Sequence, residues 1–443
     1  MTTSAPPPKG ADDLGEPLEL PGRRLPTAVA EFLHTEVASG VVLLVATAVA
    51  LVWANSRWRG GYEALWSTEL TFRVGGAVLS EDLRHWVNDA LMALFFFVVG
   101  LEIKRELVVG DLKGPRTAAL PAFAALGGMA VPATLYLIVT GGGPGSHGWG
   151  IPMATDIAFA LGLVALLGRR VPSSLKLFLL TLAIIDDIGA IVVIAVFYSP
   201  GVDGPSLAVA LGLLGTIAVL RRAGVTWAPI YVVLSAGVWL ATFESGVHAT
   251  IAGVALGLLT SASPRFEEVA PRQWVSDIDD VDPAGARRVA SLARASVSDA
   301  ERLEHVLHPW TSFVVVPLFA LANAGVLLSA DAFDTAGAGT VAVAVAVGLV
   351  LGKLVGVTAF TWLAVRLKLG SLPAGVRWSQ VVGIGGVAGV GFTVSLFIAG
   401  LAFEPGAGLE PAAKIGILGA SAITALVGAG ILAVANRRPA TPV

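Results

Sequence analysis

The sequence predicts an all-α integral membrane protein with about twelve transmembrane helices. Hydrophobic residues make up 55% of the 443 residues, and 52 glycines add to them, whereas apolar residues and glycine together make up roughly 45–50% of a soluble domain. Charged residues make up 14%, against about 25% in soluble proteins. Apolar runs of about 20 residues, the length that crosses a bilayer, recur along the chain.

Twelve apolar runs, separated by turns rich in polar residues, proline or glycine, are the candidate spans. Their approximate limits are 36–54, 85–104, 117–139, 149–167, 173–197, 205–220, 226–243, 247–262, 308–328, 340–365, 378–402 and 412–435. The runs predict one membrane domain over 36–435, an N-terminal tail at 1–35 and a C-terminal tail at 436–443.

Two connecting segments are long enough to have structure of their own. The segment 55–84 carries Gly75 and Gly76 in the middle of TFRVGGAVL, a pattern typical of a small hairpin. The segment 263–307 is the largest polar connection, and its residues 286–306 have helical spacing with an apolar stripe. We therefore expect a hairpin in the first connection and a surface helix in the second.

The distribution of Lys and Arg predicts the orientation. If the N-terminus is cytoplasmic, the cytoplasmic segments hold 23 of these residues and the external segments 5. Cytoplasmic loops carry the excess of basic residues in membrane proteins, so both termini are expected in the cytoplasm and the hairpin outside. The segment 1–35 is rich in proline and acids and lacks a basic leader, which favours a disordered tail over a cleaved signal peptide.

Composition also excludes several kinds of site. The chain has no cysteine, which excludes disulfides, iron–sulfur clusters and thiolate zinc sites. Its net charge of -3 argues against a nucleic-acid partner. No bound cofactor is implied by any motif.

Four charged residues fall inside apolar runs. Asp186 and Asp187 lie near the middle of the fifth run, Lys353 near the middle of the tenth, and Asp156 in the fourth. A charge at the centre of a span costs about 2.5–3.5 kcal/mol on insertion scales. Packing alone rarely justifies such a cost, so these residues indicate a functional site.

Structural roles remain alternatives for these residues. Thr155 or Asp156 could cap a half-helix that begins near residue 157, and Lys353 could form a buried ion pair with one aspartate that serves assembly only. Adjacent residues of a helix point about 100° apart, so one aspartate can face a cavity while the other faces Lys353.

The chemistry that suits an aspartate pair in a membrane is cation and proton exchange. Carboxylates are the oxygen ligands that small hard cations prefer, and two carboxylates held close together cannot readily both be ionised. A site whose proton must leave before a cation can bind exchanges the two by competition.

Two of the runs are predicted to be broken helices. The fourth contains Pro152, Thr155 and Asp156, and the eleventh contains five glycines between residues 383 and 391. Broken helices in corresponding halves of a chain indicate a transporter's binding site, although glycines also serve close helix packing. In such a site Asp156 would face helix N-termini and Lys353 helix C-termini.

Several motifs together resemble the NhaA family of bacterial sodium/proton antiporters. They are WVNDALMALFFFVVGLEIKREL (86–107), ATDIAFALG (154–162), AIIDDIGAI (183–191), SGVHATIAG (245–253), RLEHVLHPW (302–310), PLFALANAG (317–325) and GVGFTVSLFIAGLAF (389–403). The resemblance implies inverted repeats, formed by spans 3–5 and 10–12, whose broken helices cross.

The resemblance also implies roles for individual residues. Asp187 would be the principal carboxylate for Na+ and protons, and Asp186 the second, paired with Lys353. Thr155 and Asp156 would lie at the crossing of the broken helices. A homodimer joined through the external hairpin is a further implication.

Family members are usually regulated by pH, and Asp89 resembles a family acid that we expect near the cytoplasmic funnel. The residues that resemble the pH-responsive region are Glu102, Arg105, Glu106, Glu304, His305 and His308. Their alternative role is a solvated polar network between helices. His305 and His308 have the spacing of a metal pair but lack further ligands.

The sequence therefore predicts an electrogenic secondary antiporter of a bacterial cytoplasmic (inner) membrane. It would export Na+ or Li+ in exchange for external protons and contribute to sodium and pH homeostasis. The alternatives are a sodium-coupled symporter of an organic solute, a passive channel, and an intramembrane aspartic protease. The protease is disfavoured because Asp186 and Asp187 are adjacent on one helix and the chain has no GxGD motif.

Overall fold

The computed structural model describes residues 25–74, 77–168, 171–199, 201–263, 297–404 and 407–436. The helices are α1 (Leu25–Ala54), α2 (Arg59–Trp66), α3 (Leu83–Val108), α4 (Pro115–Thr140), α5 (Ile157–Leu166), α6 (Ser173–Phe197), α7 (Gly204–Arg222), α8 (Ala228–Glu244), α9 (Thr250–Leu259), α10 (Asp299–Asn323), α11 (Ala338–Arg366), α12 (Trp378–Val387), α13 (Phe392–Ala402) and α14 (Glu410–Ala435). Two strands, β1 (Glu69–Val74) and β2 (Ala77–Asp82), follow α2.

Within these described ranges, nine helical segments are long and apolar enough to cross a membrane, or ten when the bent pair α12 and α13 is counted as one span. Helices α8 and α9 are apolar but shorter, with 17 and 10 residues. Each of the twelve predicted runs contains helix. The prediction of a many-span all-α membrane protein is confirmed, and the count of twelve is approximate.

Two helices begin earlier than their apolar runs. Helix α1 starts at Leu25 rather than at 36, because residues 27–39 contain no proline or glycine to end a helix. Helix α10 starts at Asp299 rather than at 308, where the Ser298 hydroxyl caps it by accepting the Glu301 N–H at 3.1 Å. Residues 1–24, most of the predicted surface helix and the segment 437–443 lie outside the described residues.

The segment between α1 and α3 is anchored on the end of α10. Strands β1 and β2 pair antiparallel, from Glu69 opposite Asp82 to Val74 opposite Ala77, where the sequence predicts a hairpin. Burial raises the pKa of Tyr62 in α2 to about 12, so its hydroxyl stays protonated and donates to backbone carbonyls at the end of α10.

Glycines allow α4 and α11 to touch backbone to backbone. A Cβ added at Gly127 would overlap the carbonyl oxygen of Gly356, and one at Gly356 would overlap that of Gly127. A Cβ at Gly352 would lie 2.7 Å from the Cα of Pro132. Membrane helices lack a hydrophobic driving force for association, and small residues at such crossings allow the close van der Waals packing that holds the helices together instead. This packing brings Lys353 into the centre of the protein.

Candidate functional site

The first broken segment precedes α5. Residues Ser146–Met153 form a 3-10 helix containing Pro152, residues 154–156 are extended, and α5 begins only after them. The carboxylate of Asp156 caps α5, accepting the Phe159 N–H on Oδ1 at 3.1 Å. The predicted cap is thus present, and proline together with a strong N-cap explains why one apolar run contains two helical pieces.

The second broken segment separates α12 from α13. The two helices are bent by 47°, and the four residues between them include Gly389 and Gly391. A Cβ at Gly391 would lie 2.8 Å from the carbonyl oxygen of Ala154. Glycine is therefore required here because the two breaks approach each other this closely. Gly383 and Gly386 pack instead against α14, so both roles considered for these glycines occur.

Hydrogen bonds join the two breaks directly. The Asp156 N–H donates to the carbonyl of Val390 at 2.7 Å, and the Thr155 hydroxyl lies 2.9 Å from the carbonyl oxygen of Ala388. In the opposite direction, the Ser395 hydroxyl donates to the carbonyl of Ile151 at 2.7 Å. The prediction that the two broken spans cross is confirmed.

Asp156 lies between two helix N-termini. Its Oδ1 faces the first turn of α5, while its Oδ2 accepts both the backbone N–H of Thr393 at 3.0 Å and the Thr393 hydroxyl at 2.7 Å. Helix N-termini carry partial positive charge, which an anionic side chain stabilises. The carboxylate of Asp156 therefore offsets the partial positive charge at the N-termini of both α5 and α13. The sequence predicts that Asp156 faces helix N-termini.

Lys353 and Asp186 form an ion pair with no solvent exposure of either side chain. The Nζ atom of Lys353 lies 2.5 Å from Asp186 Oδ2 and donates to the Thr155 hydroxyl at 2.9 Å. That hydroxyl lies 2.7 Å from the same Asp186 oxygen. Its single proton can be donated either to Asp186 or to the carbonyl of Ala388, but not to both at once.

The contacts of Lys353 are with side chains, and its orientation toward helix C-termini stays a prediction. Its ammonium group binds Asp186 and Thr155, and the Thr155 hydroxyl rather than the lysine reaches the Ala388 carbonyl after α12. The lysine side chain lies beside Gly128 of α4, where an added Cβ would be 3.7 Å from Nζ, an ordinary packing distance.

Asp187 occupies the same crossing but has a different environment. Its side chain is 4% exposed, and its Oδ1 atom is buried without a hydrogen-bond partner, as is Oδ1 of Asp186. The carboxylates of Asp186, Glu102 and Asp156 are close enough to act on its charge. A buried polar atom without a partner is rare and usually marks a functional group or a bound ion.

Five of the six candidate pH-response residues lie near the junction of α3 and α10. Arg105 Nη1 lies 2.6 Å from Glu304 Oε1, and Arg105 Nη2 lies 3.6 Å from Glu106 Oε1. Glu304 is buried, and His308 is close enough to act on its charge, while Glu102 acts on the charge of Asp187. His305 is exposed because it is one position from Glu304 and points elsewhere on the helix.

Asp89 lies at the other end of α3. It sits in a π-helical turn just after β2, with Trp239, Phe243 and Glu81 among the residues lining the same small cavity. Thirteen residues separate it from Glu102, which is about 20 Å along a helix. Asp89 and the Arg105–Glu304 pair therefore lie at opposite ends of α3, and the place of Asp89 near a cytoplasmic funnel stays a prediction.

Sequence reasoning missed Thr393 and Ser395, which bind the first broken segment from α13. Both lie within four residues after Gly391, the last glycine of the break, and hydroxyl side chains in the first turn after a glycine break are the signal that could have identified them. In the part of the chain that the structure describes, no three His, Cys, Asp or Glu side chains are placed to hold a metal ion. Any cation at Asp187 would need backbone, hydroxyl or water oxygens as further ligands.

Comparison with known proteins gives consistent results. A family model described as Na+/H+ antiporter 1 matches residues 30–432. The Na(+)/H(+) antiporter NhaA of Rhodopirellula baltica is 49% identical over 417 residues, covering 91% of this chain and 93% of the relative. The Na(+)/H(+) antiporter NhaA 3 of Frankia alni is 46% identical over 441 residues, covering 99% and 94%.

A solved structure, that of a sodium proton antiporter from Methanocaldococcus jannaschii at pH 8, matches with 12% identity and a TM-score of 0.43, covering 92% of this chain and 98% of that one.

Proposed function

The chain belongs to the Na+/H+ antiporter 1 family, and from this premise we propose that it is an electrogenic antiporter exchanging Na+ or Li+ for external protons at Asp187 and Asp186. As a family member it is a multi-pass membrane transporter of Na+ and H+ and not an enzyme. Beyond family membership, the proposal specifies the carboxylates that bind the ions, the number of protons exchanged per cation, Li+ as a second cation, and regulation by pH.

One observation carries the assignment of the site. Asp187 presents a buried carboxylate oxygen without a hydrogen-bond partner, beside Asp186, whose Oδ2 is paired with Lys353 while its Oδ1 also lacks a partner. A carboxylate so placed can be neutralised either by a proton or by a cation, and not by both at once. Competition for Asp187 therefore couples the two fluxes, as an antiporter requires.

The Lys353–Asp186 pair supplies the second proton. When the cation binds at Asp187, its positive charge adds to that of Lys353 in a region of low dielectric constant. When a proton binds Asp186 instead, it neutralises that carboxylate, and the positive charge of Lys353 loses its negative partner. A cycle that moves two protons inward for one Na+ outward moves one net charge, which a membrane potential drives with about 2.3 kcal/mol per 100 mV.

Alternating access needs the crossing to face each side in turn. The breaks are joined to each other by hydrogen bonds through Asp156, Thr155 and Ser395. We therefore propose that the crossing moves as one unit relative to the surrounding helices, carrying either the protonated or the cation-bound carboxylates. Broken backbone is stable at this depth because it is buried in protein.

We also propose regulation by pH through the residues at the junction of α3 and α10. Replacing Glu304 with Gln removes the charge that faces Arg105, Glu106 and His308. We expect the pH of half-maximal exchange to shift by about half a unit, because a partly exposed ion pair contributes about 0.2–1 kcal/mol and one pH unit corresponds to about 1.4 kcal/mol. The pH profile of exchange in vesicles measures the shift.

The control for this variant is Glu69→Gln, which makes the same change at an exposed position of β1, away from the junction of α3 and α10. It should leave the profile in place. Identical profiles for Glu304→Gln and the wild-type protein would assign the cluster a structural role only.

For location, we propose the cytoplasmic membrane of a bacterium, with a transporter domain over 36–435, both termini inside, the hairpin outside, and a homodimer joined through the hairpin. The bias of Lys and Arg supports the orientation.

Because the chain has no cysteine, single cysteines introduced at Ser80 and Ala223 can be labelled separately to test this orientation. A membrane-impermeant maleimide should label the first in whole cells and the second only in inside-out vesicles; the reverse pattern would invert the topology.

Transport is tested in inside-out vesicles from a strain that lacks its own exchangers. Respiration acidifies the vesicle interior, and a quenched pH dye reports proton release when Na+, Li+ or K+ is added. We expect dequenching by Na+ and Li+ that increases with the imposed membrane potential. Na+ flux that needs an organic solute and no pH gradient would favour the symporter instead.

A further inference from the structure

We infer that Thr393 is a positioning residue for the cation site: its hydroxyl fixes Asp156, and through it Thr155, so that Thr155 bridges Asp186 and Lys353. The inference rests on the proposed function, because its readout is the affinity for the transported cation. Thr393 donates its hydrogen bonds to Asp156 rather than to the exchanging carboxylates Asp186 and Asp187. It is not assigned to bind the ion.

The first step is the contact between Thr393 and Asp156. Both groups that Thr393 can donate, its backbone N–H and its hydroxyl, go to the same oxygen of Asp156, at 3.0 and 2.7 Å. The two residues are buried, with 4% and 3% exposure. Hydrogen bonds to a carboxylate are stronger than those between neutral groups, and here water cannot replace a missing donor.

The second step leads from Asp156 to the ion pair. The backbone of Asp156 is held at Val390 by its own N–H, and the preceding residue is Thr155. The Thr155 hydroxyl accepts from Lys353 and lies within hydrogen-bond distance of Asp186. Any rotation of the extended segment 154–156 would therefore change the distances around Asp186.

The third step concerns the helix on which, or next to which, each partner lies. Thr393 lies in the first turn of α13, Asp156 just before α5, and Lys353 on α11. The Thr393 hydroxyl is thus the side-chain donor from α13 that aligns the extended segment of the first break with the ion pair. Without it, Asp156 keeps the bond from the backbone N–H of Thr393 but loses the bond from the hydroxyl to Oδ2.

The test uses Thr393→Val, which keeps the shape of the side chain and removes only the hydroxyl. We expect the apparent KM for Na+ to rise about tenfold, in line with the loss of one hydrogen bond to a charged group, while the maximal rate changes little. Thr393→Ser should restore the wild-type KM. Loss of folded protein would instead lower the maximal rate and leave the KM unchanged.

The matched control is Thr424→Val. Thr424 is buried on α14 close to the second break, but its hydroxyl bonds only to backbone carbonyls of its own helix. Its KM should equal that of the wild type. A double-variant cycle adds specificity, because Thr393→Val should have no further effect on KM in an Asp156→Ala background, which has no side-chain acceptor, if Thr393 acts through Asp156.

Each outcome decides the matter. A raised KM in Thr393→Val, rescue by Ser, a silent Thr424→Val and a non-additive double variant support the inference. An unchanged KM, an equal effect in Thr424→Val, or additivity with Asp156→Ala overturns it. Absence of Na+/H+ exchange in the wild-type protein itself would refute the proposed function, and the inference would fall with it.

Discussion

Asp187→Asn is expected to abolish Na+/H+ exchange while the protein still folds and reaches the membrane. The substitution keeps the size of the side chain and removes the negative charge for which proton and cation compete. Because Oδ1 of Asp187 has no hydrogen-bond partner, no contact of that atom is lost. A buried amide also costs less to desolvate than a carboxylate, so stability should stay equal or rise.

The measurement is dequenching of the pH dye in inside-out vesicles on addition of Na+ or Li+, with the amount of membrane-inserted protein determined in parallel. Asp203→Asn is the matched control, because it makes the same change at an exposed residue that caps α7, and Asn is as good a cap as Asp. Exchange should be lost in the first variant and kept in the second. Normal exchange in Asp187→Asn would remove Asp187 from the site.

The part of the site that the sequence could predict is the part that membrane energetics makes conspicuous. Asp186, Asp187 and Lys353 stand out because a charge in an apolar run is costly, and Asp156 because it follows a proline break. These residues do meet at the crossing, with the Lys353–Asp186 pair as expected. The pattern gives no distances, so it could not tell that Thr155 bridges the pair.

Other features depend on contacts between distant segments, which the sequence does not encode locally. A threonine such as Thr393 is common in apolar helices, and only the approach of α13 to the first break gives its hydroxyl a carboxylate partner. His305 and Glu304 are neighbours in sequence, yet only one of them faces Arg105. Likewise, the start of α1 depends on helix propensity beyond the apolar run, which hydropathy does not measure.

Lys353→Ala is expected to destabilise the protein strongly and to alter its coupling to the membrane potential. The substitution leaves Asp186 as an uncompensated charge with no solvent exposure. Breaking a buried ion pair from one side costs about 3–5 kcal/mol. The stability change is measured by titrating purified protein in detergent with SDS, and the coupling by the dependence of exchange on an imposed potential.

Two further variants distinguish the effect of breaking this buried ion pair from the effect of replacing any lysine by alanine. Lys414→Ala breaks a partly exposed i,i+4 pair with Glu410, whose atoms lie 2.8 Å apart, and should cost at most about 1 kcal/mol. The double variant Lys353→Ala/Asp186→Asn removes both charges and should regain most of the stability that Lys353→Ala loses, because no buried charge then lacks a partner. If the double variant is no more stable than the single one, the cost lies in the lost packing of the lysine stem beside Gly128 rather than in its charge. If it is stable yet transports Na+ without response to potential, the pair is the source of the electrogenic step, since Asp187 alone would then exchange one proton for one Na+.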